Sequence, residues 1–195
     1  MVRILRPALA LLALFTVLLG LAYPALVTGF AQLAFPEAAD GSPLLLDGRT
    51  TGSELVGQPF ADPRYFWGRP SATSPAPCRA DASAGSNLGP SNPALHASVA
   101  AWATALREAD PGNTAPIPVD LVTMSGSGLD PHISPAAASY QAGRVARRRG
   151  LSEAAVRDLV AAHREGRLLG LFGDPRVNVL RLNLALNGLE REAAR

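Results

Sequence analysis

Between Arg6 and Glu37 the chain has no charged side chain, and within that stretch Pro7 to Phe30 reads PALALLALFTVLLGLAYPALVTGF. A helix of about 20 such residues spans the hydrocarbon core of a bilayer. Pro24 lies near its far end, where a kink is expected; membrane helices tolerate proline better than soluble ones do. Tyr23, Phe30 and Phe35 fall where the far interface would lie. A cleaved signal peptide is the competing reading, with Arg3 and Arg6 as its basic region. Its apolar core would be only about 7–15 residues, however, and this one is longer. The sequence therefore predicts a retained anchor over residues 7–30, with residues 1–6 before it and a separate domain over residues 37–195. Arg3 and Arg6 precede the anchor, whereas Glu37, Asp40 and Asp47 follow it before the first arginine, Arg49. That asymmetry predicts a cytoplasmic N-terminus and an extracytoplasmic domain.

Composition narrows the function. All 18 basic residues are arginine, and the formal net charge is only +2, so no nucleic-acid partner is expected. Cys78 is the single cysteine and excludes an intramolecular disulfide or a cysteine-based metal cluster. His96, His132 and His163 are scattered without ligand spacing, so no metal site is expected.

The outer part reads as a mixed α+β domain. Leu44–Leu46 before Asp47-Gly48 predict a short hairpin. Residues 69–93, RPSATSPAPCRADASAGSNLGPSNP, are equally consistent with a mobile linker and a partner-contact loop. Asn92-Pro93 predicts a helix start, followed by Leu95, Val99, Trp102 and Leu106 at helical spacing. Val119–Thr123 reads as a short strand. Ser134-Pro135 starts another helix that runs to about Arg149, with Gly150 as its stop. Its arginines, Arg144 and Arg147–Arg149, are expected on a solvated face or at a partner's docking site. Ser152 caps a further helix ending near Gly166. In DPRVNVLRLNLALNGL the period is ambiguous; helix starting at Asp174-Pro175 is the reading preferred here.

The stretch TMSGSGLDPHISPAAASYQ, Thr123 to Gln141, gathers Ser, Asp and His within a few residues. A nucleophilic serine needs a base within hydrogen-bond reach and a group to orient that base. No G-x-S-x-G elbow is present, and glycine-supplied turns account for the pattern more simply. Backbone N–H groups of SGSG ahead of a helix could hold an anion, yet both standard phosphate-loop patterns are missing. RVARRRGLSEAAVRDLV has helix-turn-helix form, but beside an anchor it is read as two packed helices. No catalytic residue is assigned.

Several blocks together carry a resemblance: RPAL and GLAYPALVTG near the start, then GSELVGQPF, YFWGRPSA, GSNLGPSNP, PVDLVTMSGSGLDPHISPAAASYQAGRVARRRGL and GDPRVNVLRLNLAL. The sequence resembles the C subunit of the bacterial Kdp potassium-transporting ATPase, the KdpC family, over nearly its whole length. It departs at CRADASA, Cys78 to Ala84. The resemblance implies a single-pass inner-membrane subunit of a potassium uptake pump that is not an enzyme on its own. Its partners would be a channel-like potassium-binding subunit, a P-type ATPase subunit, a small membrane peptide and lipid. Potassium would be the substrate of the complex. Two family roles follow from it: a structural cap on the outer face, and a catalytic chaperone that binds ATP, with Gln141 as nucleotide contact. The family-signature loop is Ser125, Gly126, Ser127, Gly128, Asp130, Pro131 and His132.

Overall fold

The computed structural model describes residues 2–46 and 48–193, and the chain divides into two compact units after Thr51. The first unit is dominated by helix. Helix α1, Val2–Val17, passes through a π-helical turn, Leu18–Ala22, into α2, Tyr23–Ala34. Over Ile4–Ala34 this makes 31 helical residues, mostly apolar, and the most apolar stretch of 18 is not buried at all. At about 1.5 Å per residue it is longer than the hydrocarbon core is thick. The wide turn sits directly ahead of Pro24, and the Tyr23 N–H donates to the Leu18 carbonyl, five residues back. Proline cannot donate and its ring crowds the carbonyl four residues earlier, so a widened turn is one way a helix absorbs it. A four-residue helix α3, Pro36–Ala39, follows, and then the predicted hairpin of β1, Pro43–Leu46, and β2, Arg49–Ser53. Gly48 has φ +74, the conformation that a tight hairpin turn requires; Asp47 lies outside the described residues.

The second unit is α+β with very little sheet, as expected. Helix α4 is Pro93–Ala109, with the Asn92 side chain accepting from the Ala94 N–H. Helix α5, Pro135–Arg149, is capped by Ser134 and closed by Gly150 at φ +67; α6, Glu153–Ala162, is capped by Ser152. Between α4 and α5 lies β3, His132–Ile133; after α6 come β4, Arg164–Glu165, β5, Arg176–Asn178, and α7, Val179–Ala193. The strands form one antiparallel sheet in the order β3-β5-β4. Val177 at its centre lies opposite both Ile133 and Arg164.

Helix α5 presents Ala137, Ala138, Ala142, Val145 and Ala146 to the core, where they meet Phe66, Val156, Val177, Leu182 and Leu186. The alanines keep the α5 surface low, so neighbouring backbone can come close.

Three expectations are corrected. Val119–Leu121 is a single 3-10 turn, not a strand. The Asp120 carboxylate there accepts from both the backbone N–H and the hydroxyl of Ser134, which ties the segment to the α5 cap instead of to a sheet. Residues 176–178 form a strand, and the helix begins only at Val179, where the Asn178 side chain accepts from the Arg181 N–H. Asp174-Pro175 therefore does not start a helix. Finally, α6 stops at Ala162, and Glu165 is already in a strand.

Candidate functional site

The signature loop is a self-satisfied knot of turns. The Ser125 hydroxyl accepts from the Gly128 N–H at 2.8 Å, and the Ser127 hydroxyl accepts from the Leu129 N–H at 3.1 Å. Gly128 has φ +68, which favours glycine. Gly126 and Ser127 are exposed, whereas Ser125 and Gly128 are buried. The Pro131 carbonyl takes the Val179 N–H at 2.9 Å. Of the SGSG N–H groups, candidates for holding an anion, those of Ser125 and Gly128 are thus already used, by the Pro70 carbonyl and the Ser125 hydroxyl. At the α5 N-terminus the negative charge comes from the chain itself, as Asp120. A carboxylate there is favoured by the helix dipole.

The partners of the His132 ring are carboxylates: Asp130 at 3.5 Å from Nδ1 and Glu165 at 3.9 Å from Nε2. The Asp130 carboxylate also accepts from the His132 backbone N–H at 3.0 Å and pairs with Arg69 at 3.1 Å. Arg69 reaches on to the Met124 carbonyl. Burial pushes the Asp130 carboxyl up, but the hydrogen bonds from His132 and Arg69, with the Arg69 charge, outweigh it and hold the group below its ordinary value. The sign follows. A depressed folded value gives stability that is present above the unfolded pKa of about 3.9 and lost as pH falls through the folded one. Acid unfolding curves of the full chain should therefore show a drop in stability below about pH 4 that is smaller in Asp130→Asn. Parallel pH profiles for the two proteins would contradict this.

Residues 69–93 hold no regular structure before α4, but they are pinned by the chain itself. The Ser71 hydroxyl donates to the Gly128 carbonyl at 2.7 Å, and the Ala84 N–H and Ser83 hydroxyl both donate to the Ser127 carbonyl. The Pro70 carbonyl accepts from the Ser125 N–H. Neither a free linker nor an outside partner is needed to account for its order.

Gln141 lies elsewhere, deep under the segment Pro63–Trp67. It is 1% exposed. Its side-chain oxygen accepts from the Trp67 N–H at 2.8 Å and from Arg144 at 2.6 Å, and its nitrogen donates to the Trp67 and Ala137 carbonyls. No amide atom is left over for a nucleotide. Two residues of the same segment are held in this way. Asn183 of α7 accepts from the Phe66 N–H and donates to the Phe66 carbonyl, at 2.9 and 3.0 Å. Arg144 donates to the Pro63 carbonyl and Arg149 to the Arg64 carbonyl. Their guanidinium groups also stack on the Trp67 and Tyr65 rings, each 4.5 Å from the ring centroid. The backbone of Pro63–Trp67, a turn running into irregular chain, is held by a ladder of side chains in place of a neighbouring strand.

Sequence reasoning missed this clamp and misplaced two of its arginines. Arg144 and Arg149 are buried, and only Arg147 and Arg148 face solvent. Burial pulls the Arg144 guanidinium down to about 10, still cationic at neutral pH. A signal did exist: Asn178, Asn183 and Asn187, with Arg181, interrupt a run of apolar residues. A buried amide needs partners, and backbone is the commonest one.

A long lipid-length apolar helix followed by an α+β domain, its polar interior bonded to its own backbone, defines a membrane-associated protein. Comparison with known families makes this specific: the model described as K+-transporting ATPase, c chain (KdpC), matches residues 5–188, and the chain belongs to that family. A potassium-transporting ATPase KdpC subunit from Sorangium cellulosum is 68% identical over 94% of this chain and 97% of its own length. Another from Methylococcus capsulatus is 62% identical over 97% and 100%. The chain is therefore a subunit of the K+-transporting ATPase, as its sequence blocks led us to expect.

Proposed function

We propose that this chain is a non-catalytic accessory subunit that assembles and stabilises the potassium pump from the outer face of the inner membrane. The observation that carries the reading is the Ile4–Ala34 helix, whose apolar surface the chain itself leaves uncovered. Lipid and partner helices must cover it, and Gly20, Ala22 and Gly29 allow close approach. Arg3 and Arg6, in the first turns of α1 ahead of the uncharged stretch, favour a cytoplasmic N-terminus and an outer domain. The domain would then dock on the channel-like potassium-binding subunit, beside the P-type ATPase subunit and the small peptide. The Ser125–His132 loop, with Gly126 and Ser127 exposed, is a candidate contact. ATP binding through Gln141 has less support, because the buried amide is already fully bonded.

Protease treatment of right-side-out and inverted vesicles tests the orientation. Cleavage within residues 52–193 is expected only in right-side-out vesicles, and cleavage only in inverted ones would overturn it. Deleting the domain should abolish co-purification of the pump subunits. An intact, active pump without the domain would remove the assembly role.

A further inference from the structure

Between β4 and β5 the chain projects a tip with no charged side chain from Leu168 to Gly173. Leu168, Leu169, Leu171 and Phe172 there are 71, 81, 76 and 63% exposed. Large apolar side chains seldom cluster in this way on a surface that meets only water. The backbone of the tip is closed on itself. The N–H and carbonyl of Leu168 pair with the carbonyl and N–H of Phe172, at 2.9 and 3.0 Å. The Gly170 N–H donates to the Arg167 carbonyl, and the Leu171 N–H to the Leu168 carbonyl. Leu169 is held at φ +54, a conformation leucine rarely adopts, and Gly170 and Gly173 are also left-handed. At the neck stands the Arg167–Asp174 ion pair, 3.4 Å, and behind it the Arg176–Glu165 pair, 2.8 Å.

Each feature suits a lipid surface. Backbone entering an apolar phase needs its polar groups bonded internally, and here the N–H groups of Leu168, Gly170, Leu171 and Phe172 are bonded within the turn. With the tip inserted, the charged groups of the neck would fall at headgroup depth, and Arg164 adds an exposed cation. The domain is also on a short leash: residues 35–51 reach at most about 60 Å from the end of α2. That tether keeps the tip at high effective concentration near the bilayer, so a small apolar surface suffices.

We propose that the tip Leu168–Phe172 inserts into the headgroup–acyl boundary of the leaflet that the domain faces. The proposal rests on the reading of Ile4–Ala34 as a membrane span, and not on which side the domain occupies.

The test uses full-length chain with Cys78→Ser, carrying an environment-sensitive fluorophore at Leu169→Cys. It is reconstituted alone and within the pump, in phosphatidylethanolamine–phosphatidylglycerol vesicles with nitroxide lipids labelled near the headgroup or deep in the acyl chain. Labels at Phe15→Cys, within the span, and at Ala136→Cys, exposed on the domain, serve as references. The Leu169 label should be quenched by shallow nitroxide at least about twofold more than the Ala136 label, with the Phe15 label quenched by the deep one. Adding Leu171→Asp should remove the tip's excess quenching without moving the unfolding curve. Equal quenching at Leu169 and Ala136, with the Phe15 label still quenched, overturns the insertion alone. An unquenched Phe15 label overturns the span and the tip together. A blue-shifted Leu169 label that lipid nitroxide cannot quench in the pump would mean that a partner subunit's groove takes the tip, and would also overturn the proposal.

Discussion

Asn183→Ala is expected to remove a large part of the stability of the domain that carries it, Gly52 onward. Asn183 is 1% exposed, and its amide supplies both partners of the Phe66 backbone, itself completely buried. Each buried backbone group left unpaired costs about 1–3 kcal/mol, so the loss should be about 3–4 kcal/mol. A domain of this size has only about 5–15 kcal/mol in all. Denaturant unfolding of the full chain in detergent, followed by the fluorescence of Trp67 and Trp102, measures it. Arg157→Ala removes an exposed pair with Glu153 and should change stability by less than about 0.5 kcal/mol. A loss at Asn183 below about 1 kcal/mol would mean that the clamp is replaceable by water or by backbone rearrangement.

The two glycines of the SGSG loop should behave oppositely. At Gly128 the backbone is left-handed, and an added Cβ would lie 2.6 Å from the Ala84 carbonyl oxygen and 2.8 Å from a Thr73 methyl. Valine there meets both a forbidden backbone region and a carbonyl that is part of the pinned segment. Gly128→Val should cost about 3 kcal/mol or more and release residues 71–84. Trypsin then should cut after Arg79 far faster than in the parent. Nothing lies within 4 Å of a Cβ built on Gly126, so Gly126→Ala should leave cleavage unchanged. Similar proteolysis of the two variants would mean that the loop does not pin the segment.

What was legible from sequence was mostly local. Asn92, Ser134 and Ser152 cap helices because a side-chain oxygen meets an N–H two or three residues on, and Gly150 ends α5 because it is left-handed. The apolar helix could be read from composition alone. What stayed hidden depends on distant partners. Val177 is in a strand because Ile133 and Arg164 flank it, a pairing that no local period announces. The order of residues 69–93 comes from bonds to Ser127 and Gly128, far along the chain. The arginines of α5 look like a solvated face, yet two of them bind the backbone of Pro63 and Arg64, which approaches over a helix surface lined with alanine. Of the signature residues, the motif was recognisable, but the use of Ser125 and Ser127 as backbone acceptors required the turn itself.

The side-chain ladder over Pro63–Trp67 also bears on the order of events during synthesis. Its rungs come from residues 74 positions later, at Gln141, and 117 positions later, at Asn183. The early segment therefore finds its first partners only when α5 has been made, and its hold on Phe66 only with α7. The apolar helix Ile4–Ala34 is made first, while the remainder is still an open chain. The lock on the Phe66 backbone therefore closes late in synthesis, once Asn183 of α7 has been made.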